Sequence, residues 1–355
     1  MASAATCWYE STNQHPSYNV RVCCDQVLDS SSCSTELYNC STDSAACCGQ
    51  LYNCSREPAW RMYRPRGALS RALYDRYILD QELKDFNKDY WYKCSMERLL
   101  PEVRGKFVQS SFDRETEHFL QSCEKKSDQI FLQLWYSLAK TLLSLFMSHT
   151  NINGLLGRGS MFVVSSEQFG SLLGRRRFGT DEGGTSLLDL GAGDGNVTRV
   201  MAEYYSQVYV TEVAATMRWK LARKGFSVLE IDGWQESKYD TISCLNLLDR
   251  CEYPLSILEQ LKQSLRPNGQ IVIALVLPYK PYVESGGSCD HKPRQFLPVS
   301  GSSFEEQVNS LVRDVLEPMG FTVERWTRLP YLCEGDLSQS YYWLNDAVFV
   351  LRVAS

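Results

Sequence analysis

The chain has 355 residues, with 37 basic and 42 acidic side chains, a net charge of −5 and a 44% apolar composition. That length holds one full α/β domain with a smaller segment beside it. The near balance of charge excludes a chain-wide nucleic-acid footprint, so no nucleic-acid partner is expected. Nothing calls for an obligate dimer, and a monomer is expected.

Residues 1–60 form a Cys/Ser-rich tail. Eight of the fourteen cysteines fall there, from Cys7 to Cys54, and Glu36-Leu37-Tyr38-Asn39-Cys40-Ser41 recurs as Gln50-Leu51-Tyr52-Asn53-Cys54-Ser55. Both copies carry an N-x-S pattern, which an oxidising lumen would open to glycans and disulfides. Residues 1–20 hold no apolar signal-peptide core, so the tail is read as disordered. No metal site is assigned, because the cysteines lack histidine partners. The other six, Cys94, Cys123, Cys244, Cys251, Cys289 and Cys333, read as ordinary buried thiols. A run of arginines from Arg56 to Arg76 reads as linker and solvated helix face, because Asp75, Asp80, Glu82 and Asp85 soon dilute it.

Residues 61–150 read as a helical segment packed on a catalytic domain, with helices over 68–88, 96–123 and 128–148. In the last, Phe131, Leu134, Trp135, Leu138, Leu142, Leu145 and Phe146 recur at steps of three and four. Gln133, Lys140 and intervening hydroxyl residues interrupt it, so it predicts a core-facing amphipathic helix and no membrane span. Residues 151–160 then read as a glycine-rich loop, either a plain connector or a flap carrying Arg158 toward a carboxylate.

From 186 onward strands and helices alternate: strands over 186–190, 207–211, 227–231, 239–245, 270–277, 321–329 and 342–353, helices over 196–205, 214–224, 254–266 and 304–318. This predicts a mainly parallel, doubly wound sheet over 151–355, with the last two strands antiparallel at one edge. Seven strands so arranged are the class I, Rossmann-like methyltransferase plan.

The ligand signal lies at the first turn, Leu187-Leu188-Asp189-Leu190-Gly191-Ala192-Gly193-Asp194-Gly195. Dinucleotide sites use G-x-G-x-x-G around a pyrophosphate. Here Asp189 precedes the glycines and Asp194 lies among them, which opposes a pyrophosphate and suits a cation such as S-adenosylmethionine. Asp189, Gly191 and Gly193 are thus candidate cofactor contacts. Glu212, closing the second strand about 20 residues on, is placed for the ribose hydroxyls. Asp232 reads either as an adenine contact after the third strand or as a solvated turn residue, and Trp234 is placed to cover the ring. The fourth strand ends in Asn246-Leu247-Leu248-Asp249. Asn246 and Asp249 are there placed to meet the methyl and its acceptor, or else Asp249 is a helix cap or the partner of Arg250. Tyr331, between the last two strands, has the reach to cover a ligand.

The runs Asn151–Phe162, Leu187–Gly195, Ser243–Cys251 and Leu329-Pro330-Tyr331-Leu332-Cys333-Glu334-Gly335-Asp336 closely resemble the DREV, or methyltransferase-like protein 9, family over roughly residues 90–353. The resemblance implies protein-histidine N-pros methylation in H-x-H motifs, with S-adenosylmethionine as methyl donor. It makes Glu212, Asn246 and Tyr331 cofactor contacts and Asp249 the residue that engages the imidazole. It also implies an endomembrane or mitochondrial location, whereas an amino end without a signal segment implies a cytoplasmic one. The alternatives are a small-molecule methyltransferase on the same fold and a non-catalytic cofactor-binding scaffold.

Overall fold

A computed structural model describes residues 67–174, 185–283 and 291–354. The cysteine-rich tail with its repeat lies outside them, as do most of the arginine run and Cys289. The chain divides into two units, Trp8–Asp75 and Arg76–Ser355 together with Met1–Cys7. Of the first, only residues 67–75 are described, and they begin helix α1, Ala68–Asp85.

The second unit is built on an eight-stranded sheet. Its strands are β1 (Met161–Phe162), β2 (Ser186–Leu190), β3 (Gln207–Thr211), β4 (Ser227–Val228), β5 (Tyr239–Leu245), β6 (Leu265–Leu277), β7 (Phe321–Glu334) and β8 (Tyr341–Val353). They lie in the order β1-β7-β8-β6-β5-β2-β3-β4. The pairs β2–β3, β2–β5, β3–β4 and β5–β6 are parallel, and β8 runs antiparallel to both β6 and β7. This is the expected seven-stranded α/β plan, with β1 added antiparallel to the end of β7.

Interior parallel strands are covered on both faces, so alternate residues feed two cores. Leu188, Ile242, Ile271 and Ile273 pack with Leu258 and Leu261 on one side, near Trp326 and Phe349. Leu187, Val272 and Ala274 pack with Phe169, Met201 and Met217 on the other. Each fully buried aliphatic side chain contributes about 1.5–3 kcal/mol, so these central strands hold the binding loops on a rigid base.

The helical segment departs from expectation in three ways. The helix expected over 96–123 is broken. A single turn at Pro101–Arg104 ends at Gly105, and Phe107 then forms an isolated bridge with Trp326 of β7, with Val108 donating to the Trp326 carbonyl and Lys106 accepting the Trp326 N–H. Helix α2 (Arg114–Ser127) starts this late because the Asp113 side chain accepts the Thr116 N–H as an N-cap.

Second, α3 (Ile130–Leu143) has the expected period but the opposite facing. Gln133 and Ala139 are its buried residues, while Phe131, Trp135, Leu138 and Leu142 are exposed. The buried Gln133 amide donates to the Lys126 carbonyl, so its burial leaves no unmet N–H there.

Third, much of the expected 151–160 loop is helical. In α4 (His149–Leu156), Ser148 caps the start and Gly157, at φ 68°, closes the end in a left-handed turn. The helix crosses the boundary expected at residue 150. Arg158 beyond it stacks over the Tyr136 ring at 5.5 Å. Helices α5 (Ser166–Leu173), α6 (Asn196–Ala202), α7 (Ala215–Arg223), α8 (Pro254–Gln263) and α9 (Phe304–Ser310) complete the unit. After α9 the helix widens into a π-type turn over Leu311–Leu316.

Cys123, Cys244 and Cys251 are buried free thiols, as expected, whereas Cys94 is free but only half-buried. Cys333, expected among them, is disulfide-bonded instead. No helix among the described residues is long and apolar enough to cross a membrane.

Candidate active site

The glycine loop leaves β2 and turns back over β3. The N–H groups of Gly191 and Ala192 both donate to the Thr211 carbonyl at 3.0 Å. Closing so tight a turn requires positive φ, 72° at Gly191 and 57° at Gly193, which a Cβ would oppose. Gly195, also left-handed, is the N-cap of α6. The Asp194 side chain accepts the Asn196 N–H, and the Asn196 amide reaches across to Ser160, tying the loop to the segment before β1.

Each expected acid now has a definite place. Asp189 is turned inward: its Oδ2 accepts from Thr198 at 2.6 Å and its Oδ1 from Ser243 at 2.7 Å. It thereby ties α6 and β5 to the root of the loop, while burial pushes its carboxyl up to about 6. Glu212 is fully buried, accepting the Gly193 N–H at 3.0 Å and the Ala214 N–H at 2.8 Å. It lines a narrow cleft with Leu190, Gly191, Thr211, Ile231 and Trp234. One wall is apolar and one edge acidic, which suits an adenosine group: the ring against Trp234 and Ile231, the ribose toward Glu212. Asp232 is exposed and lies outside this lining, because β4 stops at Val228 and the chain turns away before it.

A second cluster sits at the carboxyl ends of β5 and β6, where open parallel sheets take their ligands. Asn246, immediately after β5, has φ 53° and donates its main-chain N–H to the Ala274 carbonyl. Its amide nitrogen donates to Asp346 Oδ2 at 2.8 Å, and its own Oδ1 is buried without a partner. Asp249, three residues on, pairs Oδ2 with the Arg250 Nε at 3.2 Å, while its Oδ1 is likewise buried and unmet. Asp346 Oδ1 completes the set. Burial raises the carboxyls of both Asp249 and Asp346, Asp346 well above its ordinary value.

Three buried oxygens without donors, in one place, ask for N–H groups from a ligand. Tyr331 stands over this region. Its buried hydroxyl donates to Met161 Sδ at 2.7 Å, in the fields of Arg250, Asp346, Asp249 and Asp194. The structure therefore brings Asn246, Asp249 and Tyr331 together and sets the glycine loop and Glu212 beside the cleft.

Asp346 is missing from the sequence reading. Its signal was available: it is the one carboxylate within the strand Tyr341–Val353, which apart from Asn345 and Arg352 is apolar and aromatic. A buried acid there needs a partner and a reason.

Solved structures that are similar to parts of this chain include the mitomycin 7-O-methyltransferase MmcR, at 17% identity over 50% of this chain and 51% of that one (TM-score 0.31). A putative methyltransferase from Bacillus halodurans C-125 has 12% identity over 50% of this chain and 95% of its own (TM-score 0.34). Magnesium protoporphyrin IX methyltransferase from Synechocystis PCC 6803 has 15% identity over 48% and 75% (TM-score 0.31). The chain thus spans about half the length of MmcR. A family model described as DREV methyltransferase matches residues 91–353, from buried Trp91 to the last residue of β8. The chain belongs to that family.

Proposed function

We propose that the protein methylates the N-pros nitrogen of histidine in H-x-H motifs of protein substrates. The observation that carries this reading is the divided carboxylate of Asp249, with one oxygen held by Arg250 and the other buried without a donor. A fixed acceptor of that kind is what a neutral imidazole needs. With a reference pKa near about 6.5, imidazole is largely neutral at physiological pH, with one nitrogen protonated and the other bearing a lone pair. An Asp249 oxygen that accepts the N–H of the far nitrogen leaves the near, pros nitrogen as nucleophile. The carboxylate also stabilises the imidazolium that forms on methylation, by the logic that orients histidine in catalytic triads.

When bound, the cofactor supplies a methyl activated on a sulfonium. The residues of this chain position and exclude. Glu212, Trp234 and the glycine loop suit the adenosine portion. Asn246 and Tyr331 lie near Asp249, and Asp346 holds the Asn246 amide in place. No strong general base is required, because the attacking nitrogen carries no proton. Fixing it in line with the methyl is the larger part of the work.

The test is methyl transfer from labelled S-adenosylmethionine to a peptide containing Ala-His-Ala-His, against a peptide lacking both histidines. Label that depends on histidine and maps to the pros nitrogen is the expected result. Tight cofactor binding with no label on either peptide would reject the acceptor and leave the methyltransferase class standing.

A further inference from the structure

Helix α3 carries an apolar face that the fold does not use. Phe131 is 89% exposed, and Trp135, Leu138 and Leu142 continue the same face; Leu145 and Phe146, 84% exposed, extend it past the helix end. Helix α4, which packs against α3, adds exposed Leu155. Helix α7, which packs against α4, adds exposed Trp219. These exposed side chains lie on three helices packed in succession. So many large exposed apolar side chains on neighbouring helices mark an interaction site.

Charge selects the occupant. From Ile130 to Arg158, and again from Val213 to Val228, there is not one aspartate or glutamate, in a chain whose net charge is −5. The same stretches hold Lys140, Arg158, Arg218, Lys220, Arg223 and Lys224. Lys224 is engaged with the glycine loop, and the field of Asp336 reaches Lys140. The Arg223 guanidinium lies over the exposed Trp219 indole, 4.6 Å from the ring centre. Aromatic and aliphatic side chains flanked by arginine and lysine match an interface with apolar depth below and negative charge at the surface.

We infer that the α3 face, with Leu155 and Trp219, seats the protein peripherally on an anionic lipid bilayer. Phe131, Trp135, Leu142 and Phe146 enter the boundary between headgroups and acyl chains, and Arg218 and Arg223 meet the phosphates. The 14 residues of α3 extend only about 21 Å, against a hydrocarbon core of about 30 Å, so the helix lies along the surface. A second copy of the chain is the poorer occupant. An isologous dimer through this face would set the same basic side chains against each other.

The test is flotation of the full chain with vesicles of phosphatidylcholine alone and with about 30% phosphatidylserine added. The wild type is expected to float with the anionic vesicles and to be released as salt rises. W135E/L142E is expected to lower that partitioning by at least about tenfold, and R218E/R223E to weaken its salt dependence. The milder F131A/F146A should show a smaller loss, while all three variants keep wild-type thermal unfolding and S-adenosylhomocysteine binding. Failure of the wild type to float with anionic vesicles would overturn the inference, as would equal flotation of W135E/L142E. A dimer seen by light scattering and abolished by W135E/L142E would overturn it too, assigning the face to a second copy.

Discussion

Replacing Asp189 by asparagine should stabilise the protein at high pH and leave it unchanged at low pH. The folded carboxyl sits at about 6 because it is buried, against an ordinary value of 3.8. Well below that ordinary value the group is protonated in both the folded and the unfolded chain and contributes no difference. As pH rises through 6 the folded state must ionise a carboxyl out of contact with water, and the stability present at low pH is lost. A shift of about two units, at about 1.4 kcal/mol each, makes that loss about 3 kcal/mol. Asparagine keeps an oxygen for the Thr198 hydroxyl and turns its NH2 toward Ser243, so both bonds survive without the charge. For a domain of this size about 3 kcal/mol is roughly 6–12 °C in Tm. The assay is thermal unfolding followed by circular dichroism, without cofactor, from pH 4 to 8. A gap between wild type and D189N that stays constant over that range would refute the argument, as would a less stable D189N at pH 8.

Asp249→Ala should lower methyl transfer at least about a hundredfold while S-adenosylhomocysteine affinity, read by calorimetry, stays within a few-fold; a fully active variant removes Asp249 from the acceptor role. Because burial raises the Asp249 carboxyl, the ionised form appears only above its ordinary range. Wild-type rate should therefore climb with pH until both carboxyl and imidazole are deprotonated, and a rate that falls over that climb contradicts the assignment. Asp346→Ala leaves the Asn246 amide without its acceptor, a loss of about 1–3 kcal/mol. Its effect should fall mainly on kcat, with Asp346→Asn recovering part of it, and an unaltered kcat in both would dismiss the positioning role. Gly191→Arg adds bulk to the lining of the cleft and strain at φ 72°, so S-adenosylhomocysteine binding should vanish in a calorimeter; undiminished affinity would place the cofactor elsewhere.

The strands that carry the site were the most legible part of the chain. β2, β3 and β5 begin and end where the apolar runs do, because a glycine, an acid or an asparagine stops each run at the sheet margin. β7 runs five residues further than expected, through Pro330. A proline is tolerated there because Pro330 pairs with Asn345 of β8 on one side and the strand is near the sheet margin on the other. Periodicity identified the apolar stripe of α3 but not its facing, since a stripe carries no information about what lies opposite. Asn246 and Asp249 were legible as residues following a strand, but the partner that holds Asn246 was not. Asp346 lies 100 residues later and meets it only because β8 inserts between β6 and β7.

That insertion bears on how molecules of this protein can meet. The 14-residue β7 is flanked by Lys106–Val108 at its middle and by β1 at its end, and the opposite margin of the sheet is β4, two residues long. Long open strand margins invite a neighbour's backbone to zip on, the first step in domain exchange and fibril growth. Here the longest candidate is already clasped by two short pieces of its own chain, and the other is too brief to act as a template. Loosening either clasp, for instance by a proline at Val108 where the N–H donates to the Trp326 carbonyl, would turn a self-contained sheet into one that recruits its copies.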